Sequence, residues 1–324
     1  MKSAALATGL RHTAAIYAAA EEAALSGLRR LDQDAYGHPE LVERLSAGGH
    51  RWLLSPLLRA GEDRGWLAER TDRIVALDVA SPRAYVPPTG LGDLIATDVD
   101  VSQTDGLVRI VEVTAVDGSH AWVVAISGTQ SWNPAPGENP FDVTADVRSV
   151  RAEFSAAAIG VHLALLNAQR STGRDTSKEP ILLTGHSLGG LLATTLAADP
   201  TFHSGRRVTG VVAAGSPTGR LNVPSSVGVV SLEHSRDPVP RLDGMPVRNG
   251  GPWNTLVADP PSGGSASGAH SGALYAESAA AIEAAGRADG RTEPWEAVIA
   301  PFVGGRSAIA HDAVLTREWQ NPRS

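Results

Sequence analysis

The chain has 324 residues, 28 Lys and Arg against 35 Asp and Glu, and no cysteine. A formal net charge of −7, with both signs interspersed, excludes a polyelectrolyte built to bind nucleic acid, and the missing thiols exclude disulfides, thiolate metal sites and cysteine nucleophiles. With 42% hydrophobic residues and this length, roughly three quarters of the unfolded surface can be buried, which excludes wholesale disorder.

Arg11 and His12 interrupt the first apolar stretch before it reaches the length of a secretion signal, and no stretch approaches the eighteen or so apolar residues of a membrane span. The expectation is a soluble, cytoplasmic chain, with peripheral contact to a membrane left open. From about Thr13 to Arg73 the sequence is rich in Ala and Leu, with Leu25, Leu28 and Leu31 at three-residue spacing and a second patch at Trp52, Leu53, Leu54, Leu57 and Leu58. That texture, broken by Gly48-Gly49 and Pro56, predicts an N-terminal helical region over residues 1–80, a candidate cap over the site.

After Pro82 the texture changes. Gly106 to Ala115 alternates and is rich in Val and Ile, Ala121 to Ile126 is continuously apolar, and Asp117-Gly118 between them predicts a β-hairpin at the leading edge of a sheet. Val147, Val150, Phe154, Ala157, Val161 and Leu165 fall on one face of a long helix ending near Gly173. Ile181 to Thr184 reads as a buried strand and Leu188 to Ala198 as a helix stopped by Asp199-Pro200. Val208–Ala214, Val227–Leu232 and Thr255–Val257 read as further strands, and Tyr275 to Ala285 as a last helix closed by Gly286. Strands alternating with helices predict an α/β fold over residues 81–290, a mostly parallel sheet covered on both faces. Residues 291–324 read as an irregular tail or one packed on that domain.

The strongest chemical signal is Gly185-His186-Ser187-Leu188-Gly189-Gly190, set between a predicted strand and a predicted helix. A serine on so tight a turn takes strained dihedrals, and only small neighbours such as Gly185 and Gly189 let strand and helix close around it. Ser187 then stands in the open, with the Leu188 N–H placed where an oxyanion would form. His186 is pinned inside the turn and is expected to pack beneath the site.

A hydroxyl becomes a nucleophile when a base takes its proton, and a carboxylate must hold that base in the right tautomer. Asp237, five residues past the strand ending at Leu232 and fixed by Pro238 and Pro240, is the first candidate acid, ahead of Asp243 and Asp259. His270 is the first candidate base because it completes the chain order Ser, Asp, His; His311 and His234 are the alternatives. Thr129, at the end of the Ala121–Ile126 strand, is the candidate second oxyanion donor. The Pro-rich loop from Ser131 to Phe141 is a candidate lid, with Trp132 and Phe141 as apolar substrate contacts.

With these residues in place, the stretch from Trp122 to Tyr275 resembles the serine hydrolases of the α/β-hydrolase fold, most of all the class 3, fungal-type lipases. Gly185 to Gly190 matches that family's elbow, Gly128-Thr129 its oxyanion element, Trp132 with Asp142 or Asp146 the residues that follow it, and Gly215-Ser216-Pro217 a turn after the next strand. His234, Asp237, Val239 and Pro240 match its acid loop. The family's Phe-Arg before Gly-Thr is replaced by Ile126-Ser127. The resemblance implies Ser187 as nucleophile, Asp237 as acid, His270 as base, Thr129 and Leu188 as oxyanion hole, a lid at 131–141, and no metal or cofactor. The expected activity is hydrolysis of an apolar small-molecule or lipid ester. The competing readings are a phospholipase, thioesterase or acyltransferase using the same three residues, and a non-catalytic binding protein on a hydrolase frame.

Overall fold

Uninterrupted runs of Val, Ile, Leu and Ala become strands because both faces of each run can be buried. In a computed structural model, residues 73–78, 81–131, 137–150, 155–260, 266–288 and 293–318 are described. They contain nine strands: β1 (Arg73–Asp78), β2 (Arg83–Tyr85), β3 (Leu107–Thr114), β4 (His120–Ile126), β5 (Pro180–His186), β6 (Arg207–Ala214), β7 (Gly228–His234), β8 (Trp253–Ala258) and β9 (Ser307–Glu318). All join one sheet in the order β1-β9-β3-β4-β5-β6-β7-β8, with β2 also paired to β9. From β4 to β8 every pairing is parallel, and the rest are antiparallel.

Side chains one residue apart on these strands enter opposite layers, as the pleat demands. Val124, Leu183, Val211 and Val229 pack with the helices α3 (Ala156–Ser171) and α4 (Leu188–Ala198). Val123, Leu182, Val212 and Val230 pack with α1 (Leu91–Val101), α5 (Gly272–Ala288) and the turns around Trp295 to Phe302. The short helix α2 (Val143–Val150) supplies Ala145 to the first layer. A mostly parallel sheet covered on both faces, with a tight strand-to-helix turn at Ser187 after β5, is the α/β-hydrolase fold.

The hairpin forms where expected: Asp117 Oδ1 accepts the Ser119 N–H at 2.8 Å, and Gly118 takes a φ of 87°, open to glycine and costly for other residues. It is not the sheet's leading edge. The C-terminal segment read as an irregular tail is instead β9, inserted between β3 and β1. Its apolar positions are mainly alanines (Ala308, Ala310, Ala313), which bury well against a flat neighbour but give little hydrophobic signal in a sequence.

The single long helix predicted through Val147 and Leu165 is two helices, because Ser155 starts α3 by accepting the Ala158 N–H at 3.2 Å. The final helix runs through Gly286 to Ala288 rather than stopping there. Of the helical region expected over residues 1–80, only residues 73–78 are described, and they are strand β1; the rest lies outside the described residues. Helix α1 was not anticipated. Leu91, Leu94 and Ile95 form its buried face, each worth about 2 kcal/mol of apolar burial. Its N-terminus follows Gly90, which has no side chain to cap it, so Glu283 of α5 does so across the fold, accepting from Leu91 N at 2.8 Å and Gly92 N at 3.3 Å.

Candidate active site

The chain leaves β5 at His186 and enters α4 at Leu188, so Ser187 carries the whole reversal of direction. Its φ of 57° and ψ of −125° make it the only non-glycine with positive φ among the described residues. A side chain held there costs on the order of 1–3 kcal/mol and persists only if its surroundings impose it. Ser187 N donates to Ala214 O at 2.9 Å, and Ser216 Oγ donates to Ser187 O at 2.8 Å, so the β6 end grips it from the side. A Cβ on Gly185 would overlap the Gly189 carbonyl carbon, and one on Gly189 would overlap the Ile126 carbonyl oxygen. Strand, helix and the β4 end therefore meet only because both positions are glycine.

Ser187 Oγ lies 2.9 Å from His270 Nε2, and His270 Nδ1 lies 2.7 Å from Asp237 Oδ2. His270 sits between a single helical turn, Ala266–Ala269, and the start of α5, and Asp237 lies in the loop after β7. The Asp237 carboxylate is fully enclosed and collects two further donors, Val239 N at 2.9 Å and the Tyr275 hydroxyl at 2.7 Å. Burial alone would raise its pKa; the His270 ring, the Val239 N–H and the Tyr275 hydroxyl together outweigh that, so the carboxyl sits below its ordinary range. Tyr275 is itself held by His234 N, which donates to its hydroxyl at 3.0 Å, and by the His234 ring stacked on it at 3.8 Å. Burial, then the Asp237 charge, pushes the phenol far up, which keeps it a donor.

The other candidates are elsewhere. His234 is occupied by Ala269 O at 2.7 Å and Ser278 Oγ at 2.9 Å, and His311 lies on β9 beside Trp122, 6.0 Å between rings. Asp243 accepts from Gly219 N and Met245 N, and Asp259 from Ser235, so both brace turns. His186 packs beside His270 with 4.6 Å between ring centroids; burial, then the neighbouring His270, lowers its pKa to about 3, and the ring is neutral. Three residues before Ser187, Thr184 donates to Asp98 of α1 at 2.8 Å, a buried carboxyl that desolvation pushes well up.

Leu188 opens α4, one of the four first-turn residues whose N–H groups meet no helical carbonyl. Beside it passes the end of β4: a Cβ on Gly128 would lie 3.7 Å from Ser187 Cβ. The next residue, Thr129, donates from its hydroxyl to Asp146 Oδ2 at 3.0 Å. That contact was not foreseen, although Asp146 had been one of two acids expected in this region. The other, Asp142, is enclosed in an ion pair with Arg317 of β9. Trp132 lies outside the described residues. Phe141 is not a solvent-facing lid contact in this structure: it is fully buried among Ile126, Val108 and Ala145, and its carbonyl accepts from Gln130 N at 2.8 Å.

Burial pushes the Asp146 carboxyl up to about 7, against the pull of the Thr129 hydroxyl. The folded chain then keeps a proton that an unfolded chain releases near 3.8, so this group's contribution to stability falls as pH rises through that interval. Asp146→Asn cannot ionise yet keeps an oxygen for Thr129. Its melting temperature relative to wild type is expected to be higher at pH 8 than at pH 5; equal differences at both would refute the shift.

Residues 123–246 match the family model described as Lipase (class 3), a stretch that runs from the second half of β4 through the turn at Ser187, β6, β7 and the Asp237 loop. Over that stretch the chain is similar to the class 3 lipases, a family of lipase- and esterase-type hydrolases. No curated protein matches the chain. No helix among the described residues is long and apolar enough to cross a membrane.

Proposed function

We propose that this chain, similar over residues 123–246 to class 3 lipases, hydrolyses carboxylic esters of apolar acids through an acyl-enzyme on Ser187. The observation that carries the reading is the hydrogen-bonded line from Ser187 Oγ through the His270 ring to Asp237, at 2.9 and 2.7 Å. His270 Nε2 takes the Ser187 proton as Oγ bonds to the acyl carbon, and the carbonyl electron pair moves onto oxygen. The N–H groups of Leu188 and Thr129 receive that oxyanion. His270 then passes its proton to the departing alcohol, leaving the acyl group on Ser187. A water, deprotonated by His270, repeats the attack; its hydroxyl ends on the acid and its proton returns to Ser187 Oγ. Asp237 remains ionised throughout, holding Nδ1–H and offsetting the imidazolium charge.

A reagent that reports an activated serine without needing the natural substrate tests this directly. Intact-mass measurement after fluorophosphonate treatment should show one adduct on the wild type and none on Ser187→Ala. Folded wild type that takes up no reagent, with detergent present, would refute the reading. Phospholipid, thioester and simple ester panels then separate the acyl donors that this chemistry accommodates.

A further inference from the structure

We propose that the loop from Arg236 to Arg248, with Arg220 beside it, docks the protein onto a bilayer surface containing anionic phospholipid, and so presents lipid substrate to Ser187. The inference rests on the hydrolase reading above for its purpose, though not for its binding test. Leu242, Met245 and Val247 are 37%, 39% and 50% exposed within six residues of chain. Singly exposed apolar side chains are ordinary, as at Leu77, Val86 and Val116 elsewhere on the molecule; three on one short loop are a patch. The loop is preformed. Pro238, Pro240 and Pro246 restrict it, and Asp243, turned inward, accepts Gly219 N at 2.6 Å and Met245 N at 2.8 Å.

The charges around the patch are mostly positive although the chain as a whole carries −7. Arg220, Arg236 and Arg241 are exposed and Arg248 is partly so. Three of these guanidinium groups are anchored on backbone carbonyls: Arg220 on Asp243 O at 2.6 Å, Arg241 on Ser235 O at 2.9 Å and Arg248 on Leu221 O at 2.7 Å. Carbonyl anchors fix the cations in place without cancelling their charge. The carboxylates of the same stretch point elsewhere: Asp237 and Asp243 are buried, Glu233 is half-buried, and Asp259 is exposed but held by Ser235. Apolar tips ringed by fixed arginines match the headgroup boundary of an anionic leaflet, where apolar insertion and charge attraction act together.

The patch adjoins the reacting centre along the chain. Its first turn carries Asp237, and Gly219, whose added Cβ would meet Met245 Cβ at 2.8 Å, lies three residues past Ser216, which is bonded to the Ser187 carbonyl. The loop follows β7 and Ser187 follows β5, so lipid held there lies at the same C-terminal end of the parallel strands as Ser187.

Sedimentation of the full chain with phosphatidylcholine vesicles, and with vesicles that also contain phosphatidylglycerol, tests the proposal. Binding to the mixed vesicles is expected to be at least about tenfold tighter than to the neutral ones and to weaken with salt. Arg236→Gln with Arg241→Gln should lose most of that preference. Met245→Ser with Val247→Ser should weaken binding to both vesicle types about tenfold, while each pair keeps wild-type turnover of a water-soluble short-chain ester. Equal wild-type binding to the two vesicles, or no loss in either pair, overturns the docking surface. Vesicle binding by a chain that neither turns over the soluble ester nor takes up fluorophosphonate would leave this surface standing and sink the hydrolase reading instead.

Discussion

Ser187→Ala is expected to lower kcat for ester hydrolysis by about a millionfold, His270→Ala by a similar factor, and the double variant by no more than either alone. The reason is that in the proposed mechanism nucleophile and base act as one device. Without His270 the Ser187 proton has no acceptor 2.9 Å away, and without Ser187 Oγ the base has nothing to activate for the first step. What survives is the oxyanion site and substrate binding, which do not depend on either group. Asp237→Asn should cost less, about ten-thousandfold: an amide NH2 at the Oδ2 position that His270 and Tyr275 share favours the wrong His270 tautomer, while the amide oxygen still accepts Val239 N. Initial rates on a soluble ester, with melting temperatures to establish folding, check this. Losses that multiply in the double variant, or a Ser187→Ala rate within tenfold of wild type, would show that the three side chains do not work as a unit.

What could be read from the sequence was what is local in the chain. The turn at Ser187 needs only a buried strand, two glycines and a following helix, all between Pro180 and Ala198, and each leaves a compositional mark. The order Ser, Asp, His named partners for Ser187 but not their distances, since Asp237 and His270 come from separate loops. What was missed is held from far away. Helix α1 has apolar spacing at Leu91, Leu94 and Ile95, but its start looks weak because its cap, Glu283, comes from another helix. Of the apolar residues that β9 buries, Ala308, Ala310 and Ala313 stand beside Leu315 alone, and the strand contains Asp312 and Arg317, which find buried or half-buried partners only once the sheet exists. Phe141 looked like a loop aromatic because the chain around it is rich in proline, yet it lies against the β4 layer and belongs to the core.

Removing Arg317 should be the most destabilising change outside the reacting residues, about 3–5 kcal/mol for Arg317→Met in urea unfolding. The guanidinium is fully buried and bonds Asp142 Oδ2 at 2.6 Å and Oδ1 at 3.2 Å, with the Gly137 and Asn139 carbonyls each at 3.1 Å. Its loss strands the buried Asp142 carboxylate and takes the donor from two partly buried carbonyls, which is costlier than never having built the pair. Asp142→Asn strands the cation instead, so the double variant should cost clearly less than the sum of the two singles. Simple additivity would mean that the pair is not coupled. Its reach extends to the reaction. Asp142 also accepts Ala145 N at 3.1 Å at the start of α2, and one residue further Asp146 holds the Thr129 hydroxyl. An Arg317→Met chain that remains folded in mild conditions should therefore lose kcat more than it gains in KM, because a displaced Thr129 is felt where the oxyanion forms rather than where the substrate rests. A rise confined to KM would place the Arg317 contribution in loop packing alone and separate β9 from catalysis.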